Sequence, residues 1–122
     1  MQTKIVSKNF EIPLSHTVDV ALKNGRYSSL DSVFSKKPQE IIDIIKESGL
    51  RGKGGGGAPA GNKWQLASDY EGTKYLVVNA DESEPGTFKD RRILSLDPHL
   101  LIEGIIATCY AIGSHASYIY VR

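Results

Sequence analysis

A single cysteine, Cys109, stands in the whole chain, so no disulfide can close within it, and no multi-cysteine zinc or iron–sulfur site can be assembled from it. Such sparing use of thiols is compatible with a reducing compartment. Neither sign of charge dominates. With 15 basic and 14 acidic residues the net charge is +1, which gives no footprint for nucleic acid or for an anionic membrane surface. No apolar run reaches the roughly 18 residues that a membrane span requires. The start, Met1 to Lys8, lacks the sustained apolar stretch of a secretory signal, and a cytoplasmic location with no membrane insertion is expected. Internal repeats are absent, and no Gly-Lys-Ser/Thr follows the glycines, which sets aside a P-loop phosphate hydrolase.

What the chain does have is glycine in one place: six fall within residues 52–61. Without Cβ atoms, such a backbone can bring its N–H groups close to a ligand, as phosphate-cradling loops do. Arg51, Lys53 and Lys63 bracket the loop, and a turn rich in carboxylates, Asn79 to Gly86, follows the next apolar run. Polar groups of both signs can therefore converge on one ligand, and a nucleotide or flavin fits that pattern. A glycine run alone also reads as a flexible linker. Its continuation into Lys63, Trp64 and the acidic turn favours a site.

The 122 residues, 40% hydrophobic and 24% charged, are enough for one soluble domain with a moderate core. Residues 1–16 read as an extended arm whose Ile5, Val6, Phe10, Ile12 and Leu14 can dock elsewhere. Residues 17–50 form a helical lead-in, broken at Asn24-Gly25 and restarted at Pro38, with Ile41, Ile42, Ile44 and Ile45 on one apolar face and Gly49 at its end. Residues 51–122 read as an incomplete α/β domain. Tyr75 to Val78 is a buried strand ending at Asn79, and Thr87 to Leu96 is helix-compatible. Asp97 caps a stronger helix opened by Pro98 and closed at Gly113, with Leu100, Leu101, Ile105, Ile106 and Cys109 as buried candidates. Ser117 to Val121 is a second strand. Strand, helix, strand predicts a right-handed βαβ crossover with two parallel strands. Two such strands leave both edges open, so the chain is expected to be the N-terminal part of something longer.

In order and spacing, Ser48 to Gly55, Gly61 to Trp64, Lys74 to Arg91 and Asp97 to Gly104 resemble the NADH-oxidising flavoprotein subunit of respiratory complex I. The diaphorase subunits of NAD-linked hydrogenases and formate dehydrogenases share these motifs. The resemblance implies a Rossmann-like domain that holds FMN and takes a hydride from NADH. It places Gly52, Lys53, Gly54, Gly55, Gly56, Gly57 and Gly61 against flavin and dinucleotide, and Lys63 beside both as a fixed positive charge. Asn79 and Asp81 would contact the ribityl chain or the ring's polar edge, while Glu82 and Glu84 would line the nicotinamide side. Hydride transfer needs no proton-transferring residue, so no catalytic acid or base is expected and the roles are positional.

The resemblance further implies partner subunits of a respiratory or hydrogenase complex, peripheral to a membrane, and a 4Fe–4S cluster whose ligands lie in family segments that this chain lacks. The chain also departs from the family, with Ala58 where Phe is common, Leu66 where an aromatic residue stands, Ala60 for Thr and Lys53 for Arg. Lost aromatic stacking on adenine predicts a weaker grip on NADH or a different electron donor.

Other residues have plainer readings. Asp81, Glu82 and Glu84 as an isolated pattern fit a solvated turn, and no metal site is expected from them. His99 reads as helix-start packing, Trp64 as the anchor of the loop exit, Cys109 as a small buried hydrophobe, and Lys89, Arg91 and Arg92 as a solvated or intersubunit face. His16 and His115 get no role. The rival function is a truncated or split non-catalytic homologue that docks onto a redox complex through its arm and open sheet edge.

Overall fold

The computed structural model describes residues 3–53 and 56–122. Along them run α1 (Val18–Lys23), α2 (Leu30–Phe34), α3 (Pro38–Glu47), α4 (Ala60–Asp69), β1 (Tyr75–Asn79), α5 (Lys89–Leu96), α6 (Pro98–Ile112) and β2 (Ala116–Tyr120). Pro38 occupies the first turn of α3, where its missing N–H is not needed, and the Glu40 carboxylate accepts the Lys37 amide at 2.6 Å. Gly113 closes α6 in the left-handed region at φ 72°, a conformation that costs a side-chain-bearing residue free energy.

β1 and β2 pair in parallel, from Tyr75 opposite Ala116 to Asn79 opposite Tyr120. The crossover between them carries two helices, α5 and α6, which meet at a 96° bend. Among the described residues no single helix is long and apolar enough to cross a membrane. Leu76, Val78 and Ala80 alternate onto the inner face of the sheet, and Tyr75, Val77, Tyr118 and Tyr120 onto an exposed outer face.

The apolar core lies among the helices, not under the sheet: Ile41 and Ile42 of α3 meet Ala111 of α6, flanked by Val33, Trp64 and Tyr110. Ile45 is half-buried and Ile44 exposed, because at 3.6 residues per turn Ile44 falls outside the arc that the other three share. On α6 the residues expected to be buried, Leu100, Leu101, Ile105, Ile106 and Cys109, are only half-buried, while His99, Thr108, Ala111 and Ile112 are buried. Leu100, Leu101 and Ile105 face an open cavity instead of close-packed neighbours.

Further expectations are corrected. The arm is not extended: residues 7–17 run through successive turns, with Ile12 N–H donating to Asn9 at 3.0 Å and Thr17 N–H to Leu14 at 2.8 Å. It docks through buried Asn9 and Ser15, leaving Ile5, Val6 and Leu14 exposed. The stretch after the glycine loop, expected only to anchor the loop exit, is the ten-residue helix α4. Tertiary contacts hold it there. A Cβ on Gly61 would lie 2.7 Å from the Lys46 backbone nitrogen, so only glycine lets α4 approach α3 this closely.

A second, polar core fastens the lead-in to the α5–α6 bend. The Asp97 side chain is fully buried and accepts from Arg26 Nε at 3.0 Å and from its terminal nitrogen. Asp97 therefore occupies the N-cap position of α6 without making the expected side-chain cap. Beside it, Tyr27 Oη meets His99 Nδ1 at 2.5 Å, and His99 Nε2 lies 3.1 Å from the His16 carbonyl oxygen. Burial, reinforced by the Glu103 and Asp97 charges, raises the Tyr27 hydroxyl above the usual phenol range.

Candidate functional site

The glycine loop is pinched shut at its base. Arg51 and Pro59 form an isolated antiparallel bridge, Gly52 N–H donates to Ala58 at 3.0 Å, and Ala60 N–H donates to Leu50 at 2.8 Å. Arg51 Nε donates to the Gly57 carbonyl at 2.7 Å, so this guanidinium braces the loop from within. Gly57 sits at φ 60°, and a Cβ on Gly56 would meet nothing within 4 Å. The loop runs directly into the N-terminus of α4, which has no side-chain cap. Glycine backbone followed by an uncapped helix start is the arrangement that favours an anionic phosphate.

Beneath the loop lies a cavity of about 540 Å³. Gly52, Gly56, Gly57 and Lys63 supply its polar rim, while Trp64, Leu76, Val77 and Ile112 supply apolar wall. Among the described residues Lys63 forms no ion pair, and its amine stays available to an anion. A polar rim at one side and an apolar wall at the other suit a ligand that carries both a phosphate and an apolar ring.

Three further cavities continue from this one along the inner face of β1. The second, about 380 Å³, shares Leu76 with the first, the third shares Val78 with the second, and the fourth shares Ala80 with the third. Each shared residue is the next inward-facing position of the strand. The four together form a trough whose strand portion, four residues at about 3.3 Å each, is roughly 13 Å long. The glycine loop stands at one end and the carboxylate turn at the other.

At the far end the turn is tightly organised. Both oxygens of Glu82 accept backbone amides at the start of α5, from Asp90 at 2.8 Å and Arg91 at 2.9 Å. The side chain is 6% exposed, with Arg91 Nε 3.7 Å away. Burial by itself would raise the Glu82 carboxyl, but the two amides and the Arg91 and Lys89 charges outweigh it and hold the group below the usual carboxylate range. Asn79 Oδ1 accepts the Asp81 amide at 3.0 Å, and Asp81 accepts the Ser83 hydroxyl at 2.5 Å. Glu84 is exposed.

The expected site residues thus separate. Gly52, Gly56, Gly57 and Lys63 line the first cavity, and Asn79 the third. Glu82 lines the fourth but commits both oxygens to α5. Lys53 is exposed outside the first cavity, Gly61 is buried against α3, and Gly54 and Gly55 lie outside the described residues. The loop opens beside the N-terminal half of β1, through Tyr75 to Val77, and not at the strand's C-terminal end. Sequence reasoning missed Thr108 and Ile112, which line this cavity from α6. Their signal is the spacing of four that sets Gly104, Thr108 and Ile112 on one helix face.

Comparison with known proteins places these features. Residues 45–122 match the family described as the Nuo51 FMN-binding domain. The chain is 52% identical over 115 residues to an NADH-quinone oxidoreductase subunit of Aquifex aeolicus, covering 94% of this chain and 27% of that protein. It is 44% identical over 120 residues to an NADH-quinone oxidoreductase subunit of Rhizobium meliloti, covering 97% and 28%. Among solved structures, an NAD+-reducing NiFe-hydrogenase in the H2-reduced state aligns over 80% of this chain and 19% of its own, with a TM-score of 0.68 and 36% identity. The chain therefore spans little more than a quarter of the curated relatives it matches.

Proposed function

The chain belongs to the Nuo51 FMN-binding domain family, and from that premise we propose that it is the FMN-binding part of an NADH-oxidising flavoprotein, working as a peripheral, cytoplasmic-side subunit of a membrane-associated or hydrogenase complex. The observation that carries this reading is the trough, with glycine amides and Lys63 at one end and apolar wall and carboxylates along it. Its donor set fits FMN: amides and an amine for the phosphate, Trp64 and Leu76 for the ring. Bound there, FMN would supply the hydride acceptor toward NADH.

Everything the chain itself does is then binding and orientation. Gly52, Gly56 and Gly57 present backbone to the cofactor, and Lys63 neutralises its phosphate, with Lys53 adding positive potential outside. Gly61 acts through packing, setting the height of α4. Asn79 and Asp81 take the polar edge of the ring, and Glu84 faces the nicotinamide side. Neutral Ala58, at the rim of the first cavity, and exposed Leu66 offer no ring to adenine.

Two measurements test the reading in the full-length flavoprotein. Lys63→Ala is expected to weaken FMN about tenfold in a flavin-fluorescence titration, the loss of one charge-assisted contact; an unchanged affinity rules the assignment out. Ala58→Phe is expected to tighten NADH about fivefold, the scale of one aromatic stack. The non-catalytic rival draws support from the exposed Tyr75, Val77, Tyr118 and Tyr120 face, which suits burial against other protein. Protein that purifies without flavin and takes up none would favour it.

A further inference from the structure

We propose that Arg26, which does not line the trough, is a positioning residue for the carboxylate turn, acting through α5 as a strut nailed at both ends. At the C-terminal end of the strut, Asp97 is fully buried, and Arg26 grips it through Nε at 3.0 and 3.2 Å and through a terminal nitrogen. A third Arg26 nitrogen lies 3.6 Å from Glu103 on α6, so one guanidinium ties both helices of the bend to the lead-in. Ser15 adds a hydroxyl donated to the Leu96 carbonyl, on the last residue of α5.

At the N-terminal end, the only charge placed on the free amides of α5 among the described residues is Glu82, at 2.8 and 2.9 Å. An eight-residue helix is stiff over its length, so moving its C-terminal end moves the amides that hold Glu82. Glu82 belongs to the segment that joins β1 to α5, which follows Asn79 and contains Asp81 and Glu84. The direction of these groups toward the trough is thus set by a charge pair at the opposite end of α5. A guanidinium suits the task because its planar fork fixes orientation, which a lysine point charge cannot do.

The inference rests on the flavoprotein reading for its kinetic consequence but not for its structural one, and the test separates the two. In the full-length protein, hydrogen–deuterium exchange of the peptide spanning residues 82–91 is compared for the wild type, Arg26→Met, Arg26→Lys, Glu82→Ala and the Arg26→Met/Glu82→Ala double variant. Measurements are made with and without FMN, alongside NADH kinetics. Arg26→Met is expected to speed exchange at the Asp90 and Arg91 amides about tenfold, with Arg26→Lys between it and the wild type, and to raise KM for NADH about threefold with kcat nearly unchanged. In the double variant the exchange effect of Arg26→Met should vanish, since the strut no longer has its grip on the turn. If Arg26→Met does not fold, Arg26→Lys carries the same comparison. Unchanged exchange over residues 82–91, or effects that simply add in the double variant, would overturn the proposal. A protein that takes up no FMN yet shows the exchange pattern would sink the flavoprotein reading and leave the strut standing.

Discussion

Around the α5–α6 bend, Arg26 grips Asp97 and Tyr27 meets His99 in two adjoining polar pairs, whereas along the inner face of β1 the side chains leave four linked cavities. The first region spends its contacts on fixing backbone; the second keeps room. A binding face needs space that a closely packed core would fill, so the elements lining it must be held by contacts elsewhere. Here the carboxylate turn is held from α5, and α4 from α3 through Gly61.

The contrast can be broken first at its strongest point. Asp97→Ala removes one partner of a buried pair and leaves Arg26 without its acceptor, and should cost about 3–5 kcal/mol in urea unfolding. A loss no larger than that of an exposed pair would mean that the cluster is not what holds the bend. Gly61→Ala should cost about 1–3 kcal/mol by thermal melting, because the new Cβ meets the Lys46 backbone as well as its side chain, and the backbone cannot turn away. The same variant should loosen flavin, since α4 carries Lys63 and ends the glycine loop. On the roomy side the sign reverses. Gly104 lies inside α6 on the wall of the second cavity, where a Cβ would meet nothing within 4 Å. Gly104→Ala should therefore stabilise by about 0.5–1 kcal/mol, through the entropy of the unfolded chain. Destabilisation there would show that the trough closes in solution.

The smallest effect is a pH dependence. The Glu82 carboxyl lies below its ordinary value in the folded chain, so above that ordinary value its stabilisation is fully present, and between the two values the unfolded state binds more protons. It is lost as pH falls through the lowered folded value. Urea midpoints taken from neutral pH into the acid range should fall less steeply in Glu82→Gln than in the wild type. Equal slopes would mean that the α5 amides do not stabilise the charged form.

Much of this is legible in the sequence, and the failures have physical causes. Pro38, Gly49, Pro98 and Gly113 mark helix ends because their effects are local to one turn, and both strands fall within a residue of their expected bounds because apolar β-rich runs between turns have few alternatives. Helix α4 escapes sequence reading since Gly61 and Asn62 are poor helix formers and its weak amphipathicity gives no periodic signal. The helix is held instead by Trp64 against Ile41 and Ile42 and by the close approach at Lys46. Glu82 reads as facing a ligand because a carboxylate in a turn carries no sign of which amides it will find. Asp97 reads as a cap for the same reason, its charge partner lying 71 residues away.

The order of residues alone determined the flexible, cation-flanked loop, the carboxylates after the first strand and the parallel crossover, because each depends on local stereochemistry or on a short repeat of polarity. Folding in three dimensions decided that loop and carboxylates stand at two ends of one trough, that Arg51 braces where it was free to bind, and that a residue of the lead-in governs a helix near the far strand end. Such outcomes depend on which distant groups are desolvated together, and that is a property of packing, not of neighbours in sequence.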